Sequence, residues 1–164
     1  PLEDTSKPFV FINLNVGNHK ERLLQPNGGI VDLIKIILLE IKELTENYNV
    51  ILTYPDFPIN VYVTLEEFIV GLNLKSSISV VRKEIMSSWL SLIIQAYKVI
   101  SYDTGFVHLA YVLNDRVLSI GGDSGFWHYP GQKHVLMNYY DANEEFMQNE
   151  FKESIYEIIN WIKQ

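Results

Sequence analysis

The stretch KVISYDTGFVHLAYVLNDRVLSI, residues 98–120, decides the fold. It opens on a β-type run, Lys98 to Tyr102, and breaks at Asp103, Thr104 and Gly105. It then resumes as a short helical segment, Phe106 to Leu113, and closes on a second β-type run, Arg116 to Ile120. A strand, a helix and a strand in such close succession predict parallel neighbours joined by a crossover.

Outward from that unit the alternation repeats. FVFINL, 9–14, is a continuous apolar, β-branched and aromatic run of strand length, the pattern of a strand covered on both faces. Ile30, Ile34, Ile37, Ile41 and Leu44 recur at helical spacing, with most of the nearby charges elsewhere. Asn49 to Thr53 reads as a second strand, the two prolines of TYPDFP (53–58) as a loop, and Thr64 to Leu72 as a short helix with Glu66 and Glu67 in its first turn. Ile78 to Val81 reads as a third strand. Met86, Trp89, Leu90, Ile93 and Tyr97 have helical spacing, as do Met147, Phe151, Ile155, Ile158 and Ile162 near the end. Without a repeat or a linker, residues 1–164 are expected to form a single α/β domain, a Rossmann-like, mostly parallel sheet with helices on both faces.

Composition narrows the function classes. The chain has 164 residues, enough for a substantial core, and no cysteine, which excludes disulfides and thiolate metal sites. A formal charge of -7 and the lack of a Lys/Arg cluster argue against a nucleic-acid partner. Asp32 and Lys35 interrupt the most apolar stretch, Ile30 to Leu39, so no segment approaches the ~20 apolar residues of a membrane span. Pro1 stands where an initiating Met would, and the chain is expected to be a piece of a longer protein.

In a parallel sheet the ligand crevice lies at the carboxyl ends of the strands. That directs attention to three loops: 15–29, 103–105 and 121–133. In the second, Asp103 or Thr104 suits a helix N-cap, and Gly105 would let a ligand approach backbone N–H groups closely. Thr104 and His108 are four apart, so hydroxyl, N–H groups and imidazole could share one diphosphate; an ordinary cap on a buried helix, with His108 a hydrogen-bonded core residue, fits the same spacing. The third loop, GGDSGFWHYPG (121–131), sets Phe126, Trp127 and Tyr129 among glycines, where Gly121 and Gly122 permit close approach and the rings could wall a base or sugar; a loop covering the sheet edge is the plainer alternative. The first loop offers His19, Lys20 and Arg22, as phosphate contacts or as a solvated basic turn.

SYDTGFVHLAYVLNDRVLSIGG resembles the signature of bacterial heptosyltransferases and related glycosyltransferases: a strand into Asp-Thr/Ser-Gly-x-x-His-x-Ala, a short helix, a strand and a glycine. FINLNVGNHKERLLQP is similar to the first strand and lysine loop of that family's C-terminal domain. The resemblance runs over roughly 8–140. It implies the donor-binding half of a GT-B glycosyltransferase of the ADP-heptose:lipopolysaccharide heptosyltransferase kind, with a nucleotide sugar as ligand. By the same resemblance the diphosphate falls to Asp103, Thr104, Gly105, His108, and Lys20 or Arg22. The loop after the fifth strand, with Gly121, Gly122, Ser124, Phe126 and Trp127, is expected to supply the nucleotide or sugar pocket. The family's general base lies in an N-terminal, acceptor-binding domain, expected to fall outside residues 1–164. The isolated domain is therefore expected to bind and not turn over, and the full protein to transfer a sugar, a heptose or another hexosyl-type unit, to a cell-envelope glycan or other acceptor. The expected setting is cytoplasmic, with peripheral attachment to the inner face of the membrane through the missing part.

The sequence departs from the family in two places. Lys20 is not closely followed by Trp-Pro, and LTYPDFP replaces a glycine-rich acidic turn, so the donor could differ from ADP-heptose. No Asp-x-Asp motif occurs, which agrees with a leaving diphosphate held by N–H groups and cations rather than a metal ion, and no cofactor is expected. Two other classes fit parts of the chain. GDSG, 122–125, is like a serine-protease nucleophile stretch, but the helices contradict that all-β fold and Phe126 stands where a Gly-x-Ser-x-Gly elbow needs glycine. A non-catalytic nucleotide-sugar-binding module, or a GT-B-fold epimerase relative, shares the fold and differs only in function.

Overall fold

The computed structural model describes residues 6–15, 30–54, 59–81, 86–102, 104–121, 133–136 and 144–164. The strands are β1 (Phe9–Asn13), β2 (Asn49–Thr53), β3 (Ile78–Val80), β4 (Lys98–Tyr102), β5 (Val117–Gly121) and β6 (Lys133–Leu136). The helices are α1 (Ile30–Glu40), continued by a 3-10 segment Ile41–Glu46, α2 (Ile59–Gly71), α3 (Met86–Gln95), α4 (Gly105–Leu113) and α5 (Glu144–Lys163). All pairings in the six-stranded sheet are parallel, in the order β3-β2-β1-β4-β5-β6. This is the Rossmann-like α/β fold that the alternation predicts, and its strand order reverses between β1 and β4.

Both faces of the sheet are covered, which is why FVFIN and NVILT are apolar almost throughout. On one face Val10, Ile12, Val50, Leu52, Ile100, Leu118 and Val135 pack with Ile34, Ile37 and Leu38 of α1, Leu65 and Ile69 of α2, and Ile155, Ile158, Ile159 and Ile162 of α5. On the other, Phe11, Ile51, Val99 and Val117 meet Ile93 of α3 and Val107 and Ala110 of α4. Strand residues alternate between these two clusters with the period of a β-strand.

The amino-terminal edge of the sheet is fastened by two polar side chains, half-buried Asn114 and buried Lys98. Asn114, after α4, donates to the carbonyls of Ile93 (2.8 Å) and Ala96 (3.0 Å) at the end of α3 and accepts from the Arg116 N–H (2.8 Å). It thereby satisfies helix-terminal carbonyls that would otherwise be orphaned. Lys98, 5% exposed, donates to the carbonyl of Trp161 at the end of α5, with its ammonium over the rings of Trp161 (4.7 Å) and Tyr97 (5.4 Å). Burial, and then the neighbouring Arg116 charge, push its pKa below the ordinary lysine range.

Three expectations differ from what is found. α2 begins at Ile59, not Thr64: the Thr64 hydroxyl donates to the Asn60 carbonyl at 2.9 Å, the back-bonding of a residue inside a helix. Tyr97 lies beyond α3, its N–H given to Phe9 O at 2.9 Å as the chain enters β4. β6 falls at the end of what reads as a loop, because four residues on a sheet edge take their structure from pairing with β5 rather than from a pattern of their own. The broad apolar face of the last helix, with Phe146, Ile159 and Trp161 beyond the main stripe, reads either as a wide core contact or as surface left for a missing domain. Ile159 is buried in this chain's own core, as the first reading expects, and Trp161 packs partly buried against it. α5 rests on both α1 and β6, and two neighbours need a wider face than one. The Phe146 side chain is outside the described residues.

Candidate functional site

Strand alternation places a polar level across the sheet, one step above the apolar layer of Ile51, Phe11, Val99 and Val117. Thr53, Asn13, Ser101, Ser119 and His134 are register partners across β2, β1, β4, β5 and β6, and the first four are buried. Their side chains share the α3/α4 face, since each of the first four lies two residues beyond a member of that apolar layer. Asn13 Nδ2 donates to Ser101 Oγ at 3.0 Å, and Ser119 Oγ and His134 Nδ1 are 2.7 Å apart. Polar side chains at this depth are costly unless they are paired, and these two contacts supply the pairing for Asn13, Ser101, Ser119 and His134.

Above that level, at the carboxyl ends of β1 and β2 and the start of α4, a crevice of about 250 Å³ is lined by Asn13, Asn15, Thr53, Trp89, Thr104 and Phe106. Its aromatic wall is a cluster of three mutually contacting rings. Phe11, fully buried, stacks on Trp89 (centroids 5.8 Å, 24°) and meets the Phe106 ring edge-on (5.7 Å, 71°), while Trp89 and Phe106 meet at 5.9 Å and 86°. A larger cleft of about 450 Å³ opens at the opposite end of the sheet, lined by Ile94, Tyr97, Val112, Arg116 and neighbours. We place the candidate site in the smaller crevice. It lies where the strand order reverses and at a helix N-terminus, whereas the larger cleft faces helix C-termini, whose carbonyls disfavour anions.

Thr104 is the N-cap of α4, with extended backbone (φ -139°, ψ 174°). Its hydroxyl accepts from the Phe106 N–H at 3.4 Å and its carbonyl from the Val107 N–H at 3.0 Å. The first distance exceeds the usual N–H···O range, so the side-chain cap is slack and the Phe106 N–H keeps capacity for another acceptor. Gly105, the first helical residue, is exposed, and a Cβ built there would meet nothing within 4 Å. Its backbone thus faces open space. None of the six lining residues is charged, so among them the field that would favour an anion is that of the α4 N-terminus.

Of the residues singled out from sequence, Thr104 lines the crevice and Gly105 opens the same helix. His108 is one turn further along α4, half-buried, and is not among the lining residues. Gly121 ends β5, buried, two strands from β1. Asp103, Lys20, Arg22, Gly122, Ser124, Phe126 and Trp127, with His19 and Tyr129, lie outside the described residues. Sequence reasoning passed over Asn13, Asn15, Thr53 and Trp89. A signal for two of them exists in hindsight: Asn13 and Thr53 are polar residues at the last positions of apolar strands, where the crevice begins. Among the described residues no cluster of three His, Asp or Glu is placed to hold a metal ion, and no helix is long and apolar enough to cross a membrane.

No family profile and no curated protein sequence matches the chain. Solved structures do match its fold. The E. coli heptosyltransferase WaaC with ADP superimposes with a TM-score of 0.62 at 12% identity, over 98% of this chain and 46% of that one. The E. coli ADP-heptose lps heptosyltransferase II gives 0.62 at 15% identity, over 98% and 48%. The catalytic domain of starch synthase IV from Arabidopsis thaliana, bound to ADP and acarbose, gives 0.52 at 12% identity, over 99% and 34%. The chain spans just under half the length of the two heptosyltransferases. Its fold is that of one part of these glycosyltransferases.

Proposed function

We propose that this domain is the nucleotide-diphosphate-sugar-binding half of a glycosyltransferase related to the heptosyltransferases. The observation that carries the reading is the start of α4, where Thr104, next to Gly105, lines a crevice at the reversal of strand order. In this reading the diphosphate rests on the first turn of α4, with Asp103, Thr104, Gly105 and His108 around it and Lys20 or Arg22 brought from the β1 loop. Gly121, Gly122, Ser124, Phe126 and Trp127 belong to the nucleotide or sugar pocket. Structural neighbours solved with ADP support the ligand class, and the Asp-Thr-Gly-x-x-His stretch supports the place.

Chemically, the leaving diphosphate gathers charge as the glycosidic bond breaks. Pre-aimed N–H groups, a helix N-terminus and cations stabilise it without reorganising. The reading requires no metal ion, in keeping with the lack of Asp-x-Asp in the sequence. The acceptor and the base belong to a second domain. For the whole protein we propose sugar transfer to a cell-envelope glycan at the inner face of the membrane, by likeness to neighbours named for lipopolysaccharide heptosyl transfer. Isothermal calorimetry of the chain with ADP and with UDP, in EDTA, tests the binding. Heat saturating at one equivalent with either nucleotide is expected. Silence with both nucleotides, or binding that needs added magnesium, overturns the reading or its metal-free part respectively.

A further inference from the structure

We propose that the face of Trp89 turned away from Phe11 is a stacking platform for the base of the nucleotide, which makes Trp89 an affinity-determining residue of the crevice. The proposal rests on the functional reading above for its ligand and on described residues alone for its geometry.

The ring positions fix which face is open. Trp89 stacks on Phe11 at 5.8 Å and 24°, so one face of the indole is covered by β1. Phe106 stands almost perpendicular to the indole, its centroid 5.9 Å from Trp89 and 5.7 Å from Phe11. A ring equally near both members of a stack lies beside that stack, whereas one lying across the far face of Trp89 would be much further from Phe11. Among the described residues no other ring meets Trp89. The face turned away from Phe11 therefore has no aromatic partner, and Trp89 is half-buried and lines the crevice. With Phe11 fully buried behind it, the indole is held in place before a ligand arrives, which lowers the cost of ordering on binding.

The rest of the lining suits an uncharged ring with polar edges. Asn13, Asn15, Thr53 and Thr104 offer amides and hydroxyls, and no lining residue is charged. At about 250 Å³ the crevice falls below the ~300–1,000 Å³ of sites that enclose a whole drug-sized ligand, so it has room for one part of a nucleotide sugar. Phe106 ties that part to the phosphates. Its N–H is the one that Thr104 caps only slackly, at 3.4 Å, and its ring abuts Trp89. A planar base continues the Phe11 and Trp89 stack as a further layer, whereas a pyranose is puckered and has no π-system. Such stacking needs a π-face rather than a particular hydrogen-bonding edge, so purine and pyrimidine nucleotides are both served.

Two measurements test the platform. In the wild-type complex with ADP, nuclear Overhauser contacts are expected between the Trp89 indole protons and the C–H groups of adenine; contacts to ribose alone, or to no part of the nucleotide, overturn the proposal. By calorimetry in EDTA, Trp89→Leu is expected to weaken ADP and UDP each about tenfold, and Trp89→Phe, which keeps a π-face, to stay within about threefold of wild type. Urea midpoints report folding separately, and the wild-type contacts carry the test where Trp89→Leu fails to fold. A phenylalanine variant as weak as the leucine one assigns Trp89 to packing and refutes the platform. If the wild type binds ADP and Trp89→Leu matches it, the platform is refuted and the functional reading stands. Silence of the wild type with both nucleotides removes the functional reading, and the platform with it.

Discussion

Gly105→Ala separates what the α4 turn does for folding from what it does for a ligand. The residue is the first of the helix, exposed, and a Cβ there would touch nothing within 4 Å. Alanine therefore adds no clash, and it removes backbone freedom from the unfolded chain, a gain of ~0.4–1 kcal/mol at compatible positions. For a domain of this length that corresponds to a rise in Tm of ~1–4 °C, since ~1 kcal/mol moves it by ~2–4 °C. The methyl group would occupy the open space above the first N–H groups, where the proposed diphosphate oxygens approach. A loss of ADP affinity of tenfold or more, equal to at least ~1.4 kcal/mol, is expected. Thermal and urea unfolding give the first number and calorimetry with ADP the second. Unchanged ADP affinity would refute the placement of the phosphates on this turn. A drop in stability beyond ~1 kcal/mol would refute the reading of Gly105 as unstrained and unobstructed.

Three further outcomes follow from the packing and charges. Thr104→Ala should cost ~0.5–1 kcal/mol, the lower part of the range for N-cap loss, because the 3.4 Å bond to the Phe106 N–H is already slack; urea unfolding showing 2 kcal/mol or more would mean a tighter cap. Phe11→Ala should cost ~3–5 kcal/mol, since the ring is fully buried and holds both Trp89 and Phe106; a cost under ~1.5 kcal/mol by urea unfolding contradicts this packing. For Lys98, burial and Arg116 lower the folded-state pKa below the unfolded value of about 10.4. Between those two values the unfolded chain holds more protons, so wild-type stability gains as pH rises through that window, and the penalty on the charged form is fully present below it. Lys98→Met lacks that gain, so the wild-type advantage in urea midpoint should be larger at pH 10 than at pH 7, and an advantage constant with pH would contradict the lowered pKa.

The elements legible in the sequence were those whose burial is decided by one dominant partner. FVFINL, NVILT and KVISY declare themselves because both faces of an interior strand are covered, and α4 because the Asp103–Gly105 break precedes a short apolar helix. β6 was illegible because KHVL is held by backbone pairing to β5, and the α2 start because Thr64, a good cap by residue type, bonds back to Asn60 within the helix. At the site, Thr104 and Gly105 were legible since capping is local chemistry. Asn13, Thr53 and Trp89 were not, for each becomes a wall of the crevice only when β1, β2 and α3 are brought together by pairings distant in sequence.

The strand order also sets a schedule for synthesis. Of the described strands β1 is the first made, yet it ends in the middle of the sheet, with β2 on one side and β4 on the other. Its partner across the strand-order reversal, Ser101 for Asn13, is 88 residues further along. At ~5–20 residues per second of translation, one edge of FVFIN waits roughly 4–18 s without its parallel neighbour. Loop-closure entropy must be spent before such a distant pairing rewards it. During that interval the nascent chain offers an apolar, unpaired strand edge, the kind of surface that chaperones hold and aggregates recruit.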